Sequence, residues 1–170
     1  MASELGVQTI QHTNGTDALT IGSDGAVEAQ GILTSRGLSY IPSFSARGGG
    51  GAVSSTTIGT YDNYETGVTH NIGSHYNYTN KEFTCPVDGL YLFTVTAYGN
   101  NGNTGALRLS VNDNYSENYP QISTDGFTGY PMYSMSAVLS LSANDTVQTY
   151  VRGGSIYFDS DCWFTGVLIG

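Results

Sequence analysis

The side chains with the clearest catalytic potential are the three histidines, His12, His70 and His75. His70 and His75 lie five residues apart in a polar stretch, a spacing that puts two side chains on opposite faces of a strand unless a bulge intervenes. The sequence contains neither a Gly-x-Ser-x-Gly nucleophile elbow nor a His-Glu-x-x-His zinc motif. We therefore predict no catalytic residues, no cofactor and no enzymatic activity. A triad of a serine, a histidine and an aspartate stays open as the alternative.

Carboxylates that could bind a hard cation occur in two loop-like segments. Asp159 and Asp161 flank Ser160 before the last apolar run, and Asp125 lies in an earlier polar segment. Carboxylate oxygens are typical ligands of Ca²⁺, but these three have no fixed ligand spacing. We predict solvated loop carboxylates and no metal site, and a Ca²⁺ site is the alternative.

The chain has two cysteines, Cys85 and Cys162, far apart in sequence. This spacing fits neither a zinc knuckle nor a small disulfide framework. Each cysteine lies in an apolar, strand-like run, so we predict two buried free thiols.

The composition indicates an all-β protein that does not bind polyanions. The 170 residues include 23 Gly and 13 Tyr but only 5 Lys+Arg, and the formal net charge is −9. Glycine, tyrosine, threonine and valine favour strands and turns. The scarcity of basic residues argues against binding to nucleic acid or to anionic membranes. No apolar run approaches the ~18 residues that span a bilayer, and the N-terminus lacks a signal peptide, so we expect synthesis in a host cytoplasm and no membrane insertion.

The elements that would position any site are strands, and residues 83–98 are central among them. Pro86 and the Asp88-Gly89 turn separate two apolar runs. After the turn, the residues on both faces are largely apolar, which predicts a central strand covered on both sides. The alternation over 133–142 predicts a half-buried strand, and 162–170 predicts a second central strand beside the first. The Tyr-rich segment 114–130 is predicted to be irregular and exposed.

Residues 1–40 differ from the rest, because aromatic residues are absent before Tyr40. Three short strand-like pieces alternate with turn formers such as Thr13-Asn-Gly-Thr16. None buries enough apolar surface to be stable alone, so we predict an arm (1–40) ordered by docking and a head (41–170). The run from Gln8 to Ile21, followed by Ser23-Asp-Gly-Ala-Val27, resembles the opening of small tail-associated proteins of tailed bacteriophages.

The head resembles the globular domain of complement C1q, a jelly roll related to tumour necrosis factor. The matching motifs stand in the family's order, and the second is the most specific: Asn71-Ile-Gly73 with Tyr76-Asn77, Phe83-Thr-Cys-Pro-Val-Asp-Gly-Leu-Tyr-Leu-Phe93, Leu141-Ser-Ala-Asn-Asp-Thr-Val147 and Phe164-Thr-Gly-Val-Leu168. Two positions depart from the pattern, since Glu82 and Asn144 stand where the family usually has glycine. The resemblance implies a ten-stranded jelly roll, a compact homotrimer and no catalysis.

Five large aromatic residues exceed what a thin sandwich readily buries, and we predict them at the trimer interface: Tyr91, Phe93, Tyr133, Trp163 and Phe164. The alternative is that they only fill the core. Tyr115, Tyr119 and Tyr130 lie in presumed exposed loops and are predicted to recognise a protein or glycan surface, because tyrosine gives rigid amphipathic contact area. A hydrated surface without a ligand is the alternative.

Together these features predict a bacteriophage virion protein, a trimer whose residues 1–40 bind other virion proteins. A short tail fibre or receptor-binding module that contacts a host-surface protein or glycan comes first. A capsid decoration or cement protein at a three-fold site is the alternative within that class. A free ligand-binding adhesion module is the alternative outside it.

Overall fold

The computed structural model describes residues 9–11, 17–21, 27–29, 40–49, 51–54, 57–58, 61–62, 70–115 and 119–170. The chain forms two compact units, Met1–Tyr40 and Ile41–Gly170. This division coincides with the change in composition after residue 40. Each unit is described separately below.

The first unit contains a small antiparallel sheet of three strands in sequential order, β1 (Thr9–Gln11), β2 (Asp17–Ile21) and β3 (Val27–Ala29). Thr9 lies opposite Thr20, and the register shifts after Ile10. The turn-forming residues 13–16 and 22–25, and His12 with them, lie outside the described residues. A sheet of three- to five-residue strands buries little surface by itself, and the docking of this segment on a partner stays a prediction.

The second unit consists of strands and connecting loops. Its described strands are β4 (Ser43–Gly48), β5 (Gly51–Ser54), β6 (Thr57–Ile58), β7 (Tyr61–Asp62), β8 (His70–Ile72), β9 (Tyr76–Asn77), β10 (Glu82–Thr84), β11 (Gly89–Gly99), β12 (Thr104–Val111), β13 (Gln121–Asp125), β14 (Met132–Leu141), β15 (Thr146–Phe158) and β16 (Trp163–Leu168). No helix in the described residues is long and apolar enough to span a membrane.

The strands form two antiparallel layers. In the first sheet the order is β14-β11-β16-β4, with β7 and β8 paired to β4. In the second sheet the order begins β13-β12-β15, and β6 and β10 pair with the other edge of β15. The all-β jelly-roll prediction is thus confirmed, with more and shorter strand segments than the ten implied by the resemblance.

Strand β15 belongs to both sheets. Val147–Arg152 and Gly154 pair with β12, and Ser155–Phe158 pair with β5 in the first sheet. The strand bends at Gly153 and Gly154, where φ is +64° and +63°. A side chain rarely adopts this backbone conformation, so glycine makes the crossing possible.

The core between the sheets is built from aromatic rings. Phe44 stacks on Tyr76 with ring centroids 4.4 Å apart and meets Phe164 edge-on at 4.9 Å. Phe83 and Phe93, from β10 and β11, complete the cluster. Aromatic pairs at these separations add attraction beyond the burial of their surface.

Several strand predictions are confirmed, and two details are corrected. Strand β16 lies beside β11, and β14 alternates as expected. By contrast, the segment predicted to be irregular contains β13, because Gln121–Asp125 pair with β12 and buried Arg108 donates hydrogen bonds to the Tyr115 carbonyl and the Gln121 side chain. The side chains of β11 that were expected to be covered on both faces are fully buried on one face only.

The departure at Asn144 is compatible with the fold. Its φ is +72°, the left-handed conformation that glycine adopts freely and asparagine tolerates. The Asn144 amide donates to the Cys85 carbonyl at 2.7 Å. The turn therefore keeps its shape without glycine.

The prediction of buried free thiols is confirmed for Cys85 and Cys162. Burial, and then the charge of Asp145, raise the pKa of the Cys85 thiol from 9.0 to about 12. Because the pKa rises from 9.0 to about 12, the Cys85 side chain carries about 1,000-fold less thiolate near pH 8. Burial likewise raises the pKa of Cys162.

We therefore expect a thiol-specific chromophoric disulfide reagent at pH 8 to modify neither cysteine in the native protein within the time that an exposed thiol reacts completely. In concentrated guanidinium chloride the same reagent should titrate two thiols per chain. Modification of the native protein at the rate of a free thiol would contradict the burial of these side chains.

Candidate self-association surface

The side chains of the first sheet that point away from the core form a broad surface, which we call the outer face. Leu92 of β11 lies directly opposite Val138 of β14 on one side and Val167 of β16 on the other. Residues opposite each other in an antiparallel pair project to the same side, so these three side chains form one row. Across β4 and β8 the row continues through Ser43 to Ile72.

The outer face is unusually apolar for a solvent-facing sheet. Nine large apolar or aromatic side chains of the described residues are strongly exposed, and six of them lie on this face or continue its alternation at the strand ends: Ile41, Ile72, Leu90, Met132, Val138 and Ile169. Val138 is 54% exposed and Leu90 44%. A contiguous apolar patch of this kind marks an interaction surface.

The outer face also lacks the charge of the rest of the chain. Among its described positions on β4, β8, β11, β14 and β16, the ionisable side chains are Arg47, His70 and Tyr98, at its periphery. The whole chain carries 14 Asp+Glu. Depletion of charge at the centre and its retention at the rim are typical of subunit interfaces.

Three hydroxyl groups on the outer face have hydrogen-bond partners within the protomer. The Thr94 and Ser136 hydroxyls, opposite each other on β11 and β14, are 2.9 Å apart. The Thr96 hydroxyl accepts a hydrogen bond of 2.7 Å from the Trp163 amide. Covering these three groups with another molecule would therefore not leave their hydroxyls without a hydrogen bond.

Three of the five predicted interface residues lie elsewhere. Tyr91, Phe93 and Phe164 are 0% exposed in the protomer and form part of its aromatic core. A side chain without accessible surface cannot contact a second subunit, so their assignment to an interface was wrong. The sandwich accommodates the ring of Phe93 because its two cross-strand neighbours, Ala137 and Gly166, are small.

The other two predicted residues are partly exposed. Trp163 lies on the outer face, opposite Arg47, whose guanidinium stands 5.8 Å from the centroid of the indole ring. Tyr133 instead shares the inward alternation of β14 and packs near Gly99 and Pro131. Trp163 is therefore the one predicted interface residue of the five that belongs to the outer face.

The residues that make the outer face apolar were absent from the predicted interface. Leu90 and Leu92 alternate with the buried Tyr91, and Val138 interrupts an otherwise serine-rich face of β14. The signal was present in the sequence as the second apolar face of residues 89–99. The rings of Tyr91, Phe93 and Phe164 lie on the inward face. The aliphatic side chains of the opposite face are the ones that a partner can contact.

The three predicted recognition tyrosines do not form one site. Tyr115 stacks on Tyr150 with centroids 4.1 Å apart, and its hydroxyl donates to Asp113. Tyr130 packs against Tyr157, seven residues along β15 from Tyr150 and in the other sheet. Tyr119 packs against the core.

The candidate metal and catalytic residues are not assembled into a centre in the described part of the chain. There, no three histidine, cysteine, aspartate or glutamate side chains lie together in a group that could hold a metal ion. His70 lies on β8, while His75 meets Phe83 edge-on at 6.3 Å and its pKa is lowered by burial. Asp159 and Asp161 stay in the exposed turn before β16.

Comparison with known proteins gives a consistent result for the second unit. The sequence model of the C1q domain matches residues 48–169. The globular domain of zebrafish complement 1qA protein superposes with a TM-score of 0.57 at 22% identity, covering 77% of this chain and 98% of that one. The Eiger TNF of S. frugiperda superposes with a TM-score of 0.53 at 15% identity, covering 76% and 93%.

Proposed function

Because the chain belongs to the C1q domain family, we propose that its head associates as a homotrimer through the outer face and serves as a structural module on a bacteriophage particle. C1q- and TNF-like domains are ligand-binding or structural modules rather than enzymes. The observation that carries the proposal is the uncharged apolar row of Val138, Leu92 and Val167 across three neighbouring strands.

The row supports self-association for an energetic reason. Every exposed aliphatic side chain costs free energy in water, at about 25 cal/mol per Å² of apolar surface. A second copy presents the same uncharged surface, so neither partner has to desolvate an unpaired charge. Three-fold packing, which the family resemblance implies, would bring three copies of this face towards one axis.

The particle assignment rests on residues 1–40. This segment resembles the leader of phage tail-associated proteins and forms its own small sheet. In this proposal it binds other virion proteins and the head faces outward, so that loops such as the one carrying Tyr130 can contact a host-surface protein or glycan. We place a short tail fibre before a capsid decoration protein.

Light scattering on the purified full-length chain tests self-association. We expect three times the 18.0 kDa mass of one chain, unchanged at about 1 M NaCl, because an interface without ion pairs is insensitive to screening. A monomer at micromolar concentration would overturn the proposal.

Quantitative mass spectrometry of purified particles tests the location. A few to a few dozen copies would support a fibre, and hundreds would support capsid decoration. Absence from particles would favour a free adhesion module. In that case a chain lacking residues 1–40 would keep its binding target.

A further inference from the structure

Three tyrosines and a carboxylate line a concave site that the proposed function does not use. A cavity of about 380 Å³ is lined by Tyr98, Tyr130, Tyr157 and Asp159, and we call it the tyrosine pocket. Its volume falls within the range of small-molecule sites, roughly 300–1,000 Å³.

The strands position these rings. Tyr98 near the end of β11 lies directly opposite Tyr157 of β15, so the two side chains project to the same side. Tyr130, just before β14, places its ring centroid 5.0 Å from that of Tyr157 at an interplanar angle of 56°. The two rings pack as a tilted pair, and together with Tyr98 they line the pocket.

The charge around the pocket is negative. Asp159 lines it directly, and the Tyr98 hydroxyl points to the Asp161 carboxylate at 3.4 Å. Burial and then the charge of Asp161 raise the pKa of Tyr98. Arg47, close in the fold, is directed to the Ser160 carbonyl and the Trp163 ring and is not among the lining residues.

Tyrosine faces combined with a nearby carboxylate recognise a cation that carries apolar surface. A quaternary ammonium ion fits this description, because its methyl groups pack on the rings while its charge interacts with the ring quadrupoles. A strongly hydrated cation such as Na⁺ would lose more hydration energy than the rings return. We propose that the tyrosine pocket binds a quaternary ammonium group carried by a small molecule of the choline type.

The pocket is separate from the apolar row of the outer face. Tyr98 lies six residues from Leu92 on β11, or about 20 Å along an extended strand. The pocket thus lies at the periphery of the outer face, away from the centre of the apolar row, and the proposal does not require the trimer.

A second pair of tyrosines in the same molecule serves as a control for the tyrosine pocket. Tyr115 and Tyr150 also pair beside a carboxylate, that of Asp113, but their rings stack at 4.1 Å and 27°. This closer stack leaves no open space between the two ring faces. The same residue types are therefore present there without a tyrosine-lined pocket.

Calorimetric titration of the full-length protein with choline chloride tests the proposal, using dimethylbutanol, the uncharged carbon isostere of choline, as the matched ligand. We expect choline to bind with a dissociation constant on the order of 0.1–1 mM and the isostere at least about 10-fold more weakly. Tyr130→Ala should weaken choline binding about 10-fold or more, and Asp159→Asn severalfold. Tyr115→Ala, which keeps all three pocket rings, should leave it unchanged.

Equal binding of choline and its isostere, no binding at 10 mM choline, or full binding by Tyr130→Ala would each overturn the proposal. Tyr130 is 52% exposed, so its removal leaves the core intact, and an unchanged circular dichroism spectrum checks this. Phosphatidylcholine vesicles distinguish a lipid headgroup from a free small molecule as the source of the quaternary ammonium group. Binding to vesicles without binding to free choline would also overturn the proposal, since it would indicate recognition of a membrane surface.

Discussion

Leu92→Asp is expected to convert the proposed trimer into folded monomers. Leu92 occupies the middle of the apolar row, between Val138 and Val167, and it projects away from the core. An aspartate there is solvated in the monomer but would be buried without a partner in the assembly. The cost of several kcal/mol per buried carboxylate should raise the dissociation constant more than about 100-fold.

Analytical ultracentrifugation and circular dichroism together check this result, because the mass should fall to that of one chain while the β spectrum is retained. Phe127→Asp is the matched control. Phe127 is also an exposed large apolar residue, at 62%, but it lies outside the outer face, so this variant should remain a trimer. A trimeric Leu92→Asp variant would exclude the outer face as the interface.

The neighbouring substitution should act differently. Tyr91 is 0% exposed, packs against Phe83 with ring centroids 5.7 Å apart, and donates its hydroxyl to the Val87 carbonyl at 2.8 Å. Tyr91→Asp removes that ring and buries a charge in the core, a loss of more than about 4 kcal/mol against a typical total stability of 5–15 kcal/mol. We expect an unfolded or aggregated product, and soluble folded monomers of this variant would contradict the burial of Tyr91.

Gly154→Ala is expected to prevent β15 from crossing between the two sheets. A Cβ atom at position 154 would lie 1.5 Å from the Thr104 carbonyl oxygen, and the residue has φ of +63°. The backbone at Gly154 and the backbone at Thr104 cannot move apart without breaking the pairing of β12 with β15. We expect a loss of more than about 4 kcal/mol of unfolding free energy, measured by urea titration.

Gly153→Ala provides the matched comparison for this prediction. Gly153 has nearly the same φ, +64°, but no atom lies within 4 Å of the position that its Cβ would take. Only backbone strain remains, which costs about 1–2 kcal/mol. If both variants were equally stable, the close approach of Thr104 would not constrain the bend.

Much of the fold could be predicted from the sequence, because it depends on local patterns. The period of two over residues 133–142 corresponds to β14, and the apolar run near the C-terminus corresponds to β16 beside β11. The Phe83–Phe93 motif identified the family, and the left-handed Asn144 occupies the position where the family has glycine. These features depend on residues close together in the sequence and on their backbone preferences, so the sequence alone is enough to predict them.

The choice of interface face could not be predicted in the same way. Residues 89–99 have two apolar faces, and alternation alone does not distinguish Tyr91 from Leu92. The inward face is decided by the partners that β14 and β16 supply, where Ala137 and Gly166 leave room for rings. Arg108 is a second example. It alternates with the inward residues of β12, but its side chain is buried because the chain around β13 lies beside it.

The sequence by itself therefore determined the strands, their alternation, the change in composition after residue 40 and the family. Only the tertiary structure decided which aromatic residues fill the core, which aliphatic residues face outward, and that Tyr98, Tyr130 and Tyr157 meet around one pocket. The physical reason is that strand type depends on neighbours along the chain. Burial and convergence depend on residues brought together from distant strands, whose register a single sequence does not display.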